Sequence, residues 1–266
     1  MNMDSNKIAV VTGASRGIGS ELAVLLADSG YITYNLSRSA NDSDKVRHIE
    51  CDVACEEQVG AAMAQIVQEH GRIDLLVCNA GYGIGGTAEF TAAAESKSLF
   101  DVNYFGAVNS VKAALPALRE VQGRVVLVSS AASPFPLPFQ AHYSASKAAI
   151  CAFGLALAGE VRQFGVSVTV ALPGDVRTSF TNSRSKTDDG DGVYGGASMR
   201  SINKMEREEQ QGMTPQYAAR KLLKMCTRRK VKPMYVIGGK YKVMYVAQKF
   251  VPARLTRWLV NGMYGG

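Results

Sequence analysis

The chain has 266 residues, of which 47% are hydrophobic and 20% charged, with 26 glycines spread along its length. This composition is typical of a soluble globular protein and predicts one α/β domain over residues 1–266 rather than two small ones. No apolar run reaches the roughly 18 residues of a membrane-spanning helix. The first residues, MNMDSNKIAVVTG, do not form a secretory signal. We therefore expect a cytoplasmic protein.

The net charge of +7 is unevenly distributed. Residues 1–209 carry 18 Lys+Arg and 23 Asp+Glu, a net of −5, whereas residues 210–266 carry 12 Lys+Arg and no acid, a net of +12. This asymmetry indicates either a partner of opposite sign, such as an anionic lipid surface or an anionic substrate, or a solvated basic surface. We predict no nucleic-acid partner, because no recognised binding module accompanies the charge. The five scattered cysteines predict no metal site.

The predicted strands are short apolar runs rich in β-branched residues, at 8–13, 31–37, 48–53, 75–80, 124–130, 166–174 and 233–238. Helical patterns lie between them, for example at 17–29, 56–70, 95–119 and 143–164. Strands of nearly continuous apolar character need cover on both faces. The alternation therefore predicts a single doubly wound Rossmann domain, with a seven-stranded parallel sheet and helices on both faces.

The first predicted strand runs into TGASRGIG, residues 12–19, which we call the glycine loop. Glycines at a strand-to-helix junction let the backbone approach a pyrophosphate, and the following helix presents free N–H groups. The spacing of the three glycines differs from the G-x-G-x-x-G fingerprint. The prediction of a dinucleotide site therefore rests on the position of the loop directly after the first strand. At later strand ends, Asp52 could accept a hydrogen bond from an adenine amino group, and the small residues at 79–81 could admit a ribose.

The end of the second strand predicts which dinucleotide is used. NAD-selective folds often carry an acid there, which bonds the ribose 2′-hydroxyl. This chain has Ser37 followed by Arg38, and Arg16 lies in the glycine loop. Two guanidiniums could clamp a 2′-phosphate, and no carboxylate stands at 37–38 to repel it. The sequence therefore predicts NADP(H) rather than NAD(H).

Seven motifs follow one another along the chain: TGASRGIG, CDV at 51–53, NAG at 79–81, DVNYFG with Asn103, VLVSS with Ser130, YSASK at 143–147 and PGDVRTS at 173–179. In their order and separations they resemble the short-chain dehydrogenase/reductase family over nearly the full chain. The resemblance implies a catalytic set of Asn103, Ser130, Tyr143 and Lys147. It also implies a homodimer or homotetramer, built through the helices near 95–119 and 143–164.

The resemblance gives each catalytic residue a role that the chemistry supports. A free tyrosine titrates near pH ~10, and Lys147, one helical turn beyond Tyr143, should lower the pKa of that phenol. Ser130 would orient the substrate oxygen and Asn103 would hold a water behind the lysine. Pro173-Gly174 would shape the loop beside the nicotinamide, and Thr178 could bond its carboxamide. The residues assigned to the dinucleotide are Gly13, Ser15, Arg16, Gly17, Ile18, Gly19, Ser37, Arg38, Asp52, Val53, Asn79, Ala80, Gly81, Tyr143, Lys147, Pro173, Gly174, Val176 and Thr178.

Within the family, the chain looks most like the 17β-hydroxysteroid and retinol dehydrogenase-like branch. The polar segment 179–213 follows a strand end, which favours a substrate flap over a surface insertion. The segment 240–266 is predicted to be basic and amphipathic, with a helix beginning at Pro252. It could pack on the core or a second subunit, or lie peripherally on an anionic membrane. The apolar residues of that segment include Val243, Met244, Val246, Phe250, Leu255, Trp258 and Leu259.

Together these features predict an NADP(H)-dependent oxidoreductase that interconverts a ketone and a secondary alcohol. Its substrate would be small and apolar, of steroid, retinoid or lipid type, with Tyr143 as the acid/base. Two alternatives stay open: a non-catalytic NADP(H)-binding sensor, and a 3-oxoacyl or lipid reductase at a membrane surface.

Overall fold

A computed structural model of the chain describes residues 7–187, 190–230 and 232–265. The strands are β1 Ile8–Thr12, β2 Ile32–Ser37, β3 Val46–Glu50, β4 Leu75–Cys78, β5 Ile84–Gly86, β6 Arg124–Val128, β7 Ser167–Pro173, β8 Ser185–Thr187 and β9 Met234–Ile237. The α-helices are α1 Gly17–Asp28, α2 Glu56–His70, α3 Ala93–Phe100, α4 Gly106–Glu120, α5 Ala141–Glu160, α6 Ala197–Gln210, α7 Pro215–Thr227, α8 Gly239–Ala247 and α9 Ala253–Tyr264.

Seven strands form one parallel sheet in the order β3-β2-β1-β4-β6-β7-β9. All seven were predicted from the apolar runs, and the Rossmann-type doubly wound sheet is confirmed. The central strands β1 and β4 are buried along their whole length, which is why their sequences are apolar without alternation. The order reverses between β1 and β4, and ligands bind at such a switch point in open α/β sheets.

Helices cover both faces of the sheet, and a large apolar cluster lies between the sheet and the helices on each face. On one face α1 and α7 pack together, with Leu22 and Leu222 among their buried side chains. On the other face α2, α4 and α5 cover the sheet, with Ile66 and Leu118 among theirs. Local signals set the helix ends: the Thr214 hydroxyl accepts a hydrogen bond from the Tyr217 N–H (3.2 Å) at the start of α7. Gly71 ends α2 in the left-handed conformation.

Two segments differ from their sequence predictions. The single helix expected at 95–119 is interrupted by a π-helical turn at Asp101–Phe105, between α3 and α4. The polar segment 179–213, expected to be loose, contains β8 and the fourteen-residue α6. Ile202 and Met205 of α6 are buried against Val260 and Tyr264 of α9, which supplies the apolar contact that the segment lacks by itself. Residues 188 and 189 of this segment lie outside the described residues.

The segment 240–266 forms two short helices, α8 and α9, and Pro252 is the residue immediately before α9, close to the predicted helix start. Residue 266 lies outside the described residues. Among the helices described, none combines the length and the apolar character needed to cross a bilayer.

Two glycines of α5 provide a test of the packing between this helix and the sheet. A Cβ atom at position 154 would lie 2.6 Å from Val170 Cγ2 and 2.7 Å from Leu127 Cδ1, whereas a Cβ at position 159 would meet nothing within 4 Å. Gly154→Ala should lower the free energy of unfolding by about 1–3 kcal/mol through overpacking. Gly159→Ala should raise it, by up to about 1 kcal/mol, because alanine is the better helix former. Chemical denaturation of the two variants measures the difference, and equal stability would contradict this packing.

Candidate active site

A cleft of about 1070 Å³ runs along the carboxyl ends of the strands. It is lined by the glycine loop, the ends of β2, β4, β6 and β7, the start of α5, and parts of α6, α8 and α9. Every candidate residue from the sequence lines this cleft except Gly19 and Asn103, which are buried behind its wall. The structure therefore brings the two predicted groups, one for the dinucleotide and one for catalysis, to a single site.

The glycine loop lies directly against the end of β4. Gly13 and Gly17 have φ angles of +64° and +63°, which favour glycine. A Cβ at position 13 would lie 2.6 Å from Ala80 Cα, and one at position 19 would clash with the Asn79 amide nitrogen. The helix α1 begins at Gly17 with no side-chain cap and no acid in its first turn. Its N-terminal N–H groups thus lie at the cleft, next to Ser15 and Ile18.

Two asparagines hold this loop in place. The Asn79 amide donates to the carbonyls of Thr12 (3.1 Å) and Gly13 (3.0 Å), so its side chain braces the loop. Asn35, which the sequence analysis missed, is fully buried in β2 and its Oδ1 accepts from the Ala14 N–H (3.0 Å). A polar residue in the middle of an apolar strand was the signal for Asn35, because a buried amide needs specific partners.

Cations but no acid lie at the end of β2. Arg38 is exposed and lines the cleft, and the Ser37 hydroxyl is occupied by Asn35 Oδ1 (2.8 Å) and the Ser39 carbonyl (2.7 Å). Arg16 is also exposed in the cleft, and its guanidinium donates to Ser183 Oγ (2.9 Å). The Asp52 carboxylate accepts from the Ala54 N–H (3.0 Å) at the cleft wall, next to Val53. Two arginines and one carboxylate therefore border this end of the cleft.

Tyr143 lies in the first turn of α5 and is 8% exposed. Its ring packs against Phe180 with 5.8 Å between centroids. Ser130, which follows β6, also lines the cleft, and its hydroxyl accepts from the Ala132 N–H (3.1 Å). Burial raises the pKa of Tyr143 to about 12, and the neighbouring Ser130 acts in the opposite direction. The phenol therefore carries its proton throughout the neutral range.

Lys147 is 4% exposed, one turn beyond Tyr143. Its Nζ donates to the Val128 carbonyl (3.2 Å) and lies 5.9 Å from the centroid of the Tyr143 ring. Burial lowers the pKa of Lys147 to about 8. The net shift of the Tyr143 pKa is upward because burial of the phenol is its largest cause, so the contribution of Lys147 to lowering this pKa stays a prediction.

Asn103 lies in the π-helical turn, buried behind the cleft. Its amide forms two hydrogen bonds with the backbone of Tyr82, donating to the carbonyl and accepting from the N–H at 3.0 Å each, and donates to Ser146 Oγ (3.1 Å). A Cβ at Gly81 would lie 2.8 Å from Asn103 Oδ1 and 3.2 Å from Lys147 Nζ. Asn103 and Lys147 therefore face one another across Gly81, and the π-helical turn aligns the asparagine with α5.

The end of β7 forms the opposite side of the cleft. Pro173 is its last residue, and the Gly174 N–H donates to the Ile237 carbonyl (3.0 Å). Val176 pairs with Met213 in an isolated bridge. Thr178 faces the glycine loop, since a Cβ at Gly17 would lie 3.6 Å from its side chain. These residues and the glycine loop thus lie on facing walls.

The far wall contains two tyrosine–carboxylate pairs that the sequence analysis did not identify. The Tyr241 hydroxyl of α8 donates to Asp175, and the Tyr264 hydroxyl of α9 donates to Glu208 of α6. Tyr241 also lies so close to Gly174 that any side chain there would collide with its ring. Burial raises the pKa of Asp175 and of both tyrosine hydroxyls. The segment 240–266 therefore forms part of the cleft wall.

Sequence comparison agrees with this geometry. The family described as short chain dehydrogenase matches residues 7–189. The chain belongs to this family of NAD(P)(H)-binding oxidoreductases. A 3-ketodihydrosphingosine reductase of Bacteroides thetaiotaomicron is 34% identical over 97% of this chain and 98% of the relative. Retinol dehydrogenase 8 of Bos taurus is 35% identical over 66% of this chain and 61% of the relative, and the resemblance to the retinol and steroid dehydrogenase-like branch is confirmed.

A solved structure shares the whole fold. A short-chain dehydrogenase from Streptomyces avermitilis matches with a TM-score of 0.83 and 28% identity, over 96% of this chain and 97% of that chain. The likeness includes the elements that build the cleft, so this chain presents its candidate residues on the scaffold of the short-chain dehydrogenases.

The Asn103 contacts lead to a stability prediction. Asn103→Ala leaves the partly buried Tyr82 N–H and carbonyl groups without their partner, and each unsatisfied group costs up to about 1–3 kcal/mol. We expect the free energy of unfolding to fall by about 2–4 kcal/mol. The matched control is Asn109→Ala in α4, which removes one hydrogen bond to the Val53 carbonyl (3.1 Å) and should cost about half as much or less. Denaturant titration checks this, and equal losses would contradict the role of Asn103 as a brace.

Proposed function

We propose that this short-chain dehydrogenase is an NADP(H)-dependent oxidoreductase that interconverts a ketone and a secondary alcohol on an apolar, lipid-like substrate. One observation carries the proposal: Tyr143, Ser130 and Lys147 line the same cleft as the glycine loop, with Lys147 Nζ 5.9 Å from the centroid of the Tyr143 ring. Carbonyl reduction needs a proton donor at the carbonyl oxygen, and a tyrosine with a hydroxyl partner beside it supplies one.

The pKa shifts of Tyr143 and Lys147 suit the reduction of a ketone. With a pKa of about 12, Tyr143 is protonated at neutral pH and donates its proton to the developing alkoxide. Ser130 holds the carbonyl oxygen next to the phenol. Lys147, with a pKa of about 8, is mainly charged at pH 7 and stabilises the phenolate that forms when the proton leaves. Asn103 acts through Lys147 and α5 by holding the Tyr82 backbone and Ser146.

The glycine loop and the α1 N-terminus fit the pyrophosphate of a dinucleotide, because the loop lines the cleft and α1 begins there with no side-chain cap and no acid in its first turn. Arg38 and Arg16 would bond a 2′-phosphate, and Asp52 and Val53 would flank the adenine. Asn79, Ala80 and Gly81, with Lys147, would border the nicotinamide ribose. Pro173, Gly174, Val176 and Thr178 would border the nicotinamide. When bound, NADPH supplies the hydride.

A lipid-like ketone is the substrate class best supported. One relative that matches this chain over nearly its whole length is a 3-ketodihydrosphingosine reductase, an enzyme named for a lipid ketone. The far wall of the cleft includes apolar side chains from α6, α8 and α9, among them Met205, Met244 and Val260. We propose that the segment 179–213 acts as a flap over this end, since Phe180 already packs on Tyr143.

We also propose a homodimer or homotetramer in the cytoplasm. Short-chain dehydrogenases often form oligomers, and exposed apolar side chains such as Phe105 and Leu155 lie on or next to α4 and α5. None of the five cysteines forms a disulfide, which agrees with a reducing compartment.

Tyr143→Phe tests the mechanism. The variant keeps the ring against Phe180 but loses the hydroxyl, so turnover of a long-chain ketone with NADPH should fall by about 10²- to 10⁴-fold. NADPH binding, followed by fluorescence titration, should be retained. The control is Tyr104→Phe, a partly buried residue packed on Phe153 outside the cleft, which should leave turnover unchanged.

Full activity of Tyr143→Phe would overturn the mechanism. If the unaltered protein binds NADPH but turns over no member of a panel of long-chain ketones, steroids, retinoids and 3-oxoacyl esters, the non-catalytic sensor becomes the better interpretation.

Arg38→Asp tests the choice of cofactor. Loss of a charge-assisted hydrogen bond of about 1.5–3 kcal/mol should lower kcat/KM for NADPH by about 10- to 100-fold, while kcat/KM for NADH rises. The control is Arg162→Asp, an exposed charge outside the cleft lining. An unchanged NADPH-to-NADH ratio in Arg38→Asp would contradict the NADP(H) assignment.

A further inference from the structure

The helices α8 and α9 are apolar on two opposite sides. In α9, Val260 and Tyr264 are buried against Ile202 and Met205 of α6. Leu255, Trp258 and Leu259 also follow helical spacing, but at 100° per residue their stripe lies on the other side of the helix. These three side chains are 46%, 69% and 48% exposed. Packing within the chain therefore explains only one of the two apolar sides of α9.

The same arrangement occurs in α8. Tyr241 and Met244 point into the cleft, whereas Val243 and Val246 are 71% and 55% exposed. Phe250, in the short connection between the two helices, is 83% exposed. We call the outward side of both helices the C-terminal surface, and its apolar members are Val243, Val246, Phe250, Leu255, Trp258 and Leu259.

Cations surround these apolar side chains. Lys242, Lys249 and Arg254 are all exposed, and within the described part of the chain none of them forms an ion pair. No carboxylate side chain occurs anywhere in residues 210–266. A surface that combines exposed aromatic and aliphatic side chains with unopposed positive charge is complementary to an anionic lipid interface.

We propose that the C-terminal surface docks on an anionic bilayer, with Phe250, Trp258 and the neighbouring aliphatic side chains in the headgroup region and the cations on lipid phosphates. A symmetric contact with a second copy fits less well, because a two-fold interface brings the same patch onto itself and would oppose positive charge to positive charge.

Docking at this surface places the cleft next to the lipid. Met263 of α9 is 40% exposed and also lines the cleft, and Lys240, Tyr241, Met244 and Tyr264 line it from the same two helices. One side of α8 and α9 is therefore cleft wall while the other side is the docking surface. Entry of an apolar substrate directly from the bilayer rests on the proposed function, whereas docking itself does not.

The chain carries its own reporter for this surface, because Trp258 is its only tryptophan. Tryptophan emission of the full-length protein is recorded with vesicles of mixed phosphatidylglycerol and phosphatidylcholine, and with vesicles of phosphatidylcholine alone. We expect a shift to shorter wavelength with the anionic vesicles, together with co-sedimentation of the protein, and loss of both at high salt. No NADPH or substrate is present, so the result is independent of the proposed reaction.

Two double variants separate the apolar and the electrostatic contributions. Phe250→Ser with Leu255→Ser should abolish the emission shift, and Lys249→Gln with Arg254→Gln should weaken vesicle partitioning about 25-fold, at about fivefold per cation. The matched controls are Phe164→Ser, an exposed aromatic outside this segment, and Lys97→Gln with Arg162→Gln. The controls should bind vesicles as the unaltered protein does, and thermal unfolding confirms that every variant is folded.

Unchanged Trp258 emission with anionic vesicles would overturn the proposal, as would equal losses in the test and control variants. Sedimentation that shows concentration-dependent self-association, removed by Phe250→Ser with Leu255→Ser, would assign the surface to a second copy instead and equally overturn it. If the docking results hold but no ketone is turned over, the docking surface stands and the proposed reaction fails.

Discussion

The close approach of the glycine loop to the end of β4 is the constraint on which the rest of the site depends. Neighbouring parallel strands end at the same edge of the sheet, so the turns that follow β1 and β4 compete for one space. Gly13 resolves this with a positive φ and no side chain, because a Cβ atom at this position would lie only 2.6 Å from Ala80 Cα. Asn79 then bonds the loop carbonyls. The cleft exists because these two turns fit against each other.

The second requirement is the burial of polar side chains on α5. Tyr143, Ser144, Ser146 and Lys147 are all buried, which is costly unless each has a partner. The contacts come from other parts of the chain: the Val128 carbonyl for Lys147, Asn103 for Ser146, and the Phe180 ring for Tyr143. The polar face of the helix therefore specifies which strand ends and which turn lie against it. Burial of this face raises the pKa of the Tyr143 phenol and lowers that of the Lys147 ammonium.

The C-terminal helices connect the cleft to the outer surface. Residues 240–266 contribute Tyr241 and Tyr264 to the far wall, and the opposite sides of the same helices remain apolar and basic. The helices that form the far wall of the cleft are therefore also part of the outer surface of the protein. The inner side of these helices shapes the cleft, because Tyr241 lies against Gly174 and Tyr264 packs against α6.

Local pattern was sufficient to identify the seven strands of the main sheet, the Rossmann-type fold and the residues that meet at the cleft. Apolar runs and turn residues indicate secondary structure from a few neighbouring residues. The YSASK motif itself contains two of the predicted catalytic side chains, Tyr143 and Lys147. The residues that brace the site were harder to predict: Asn35 is marked only as a polar residue in an apolar strand, and Tyr241 and Glu208 are ordinary in sequence until distant elements lie beside them. The short parallel pair β5 and β8 joins segments about one hundred residues apart and has no local signal. The direction of the Tyr143 pKa shift and the two-sided character of α9 were likewise decided only by tertiary structure, because burial depends on what packs against a side chain and not on its neighbours in sequence.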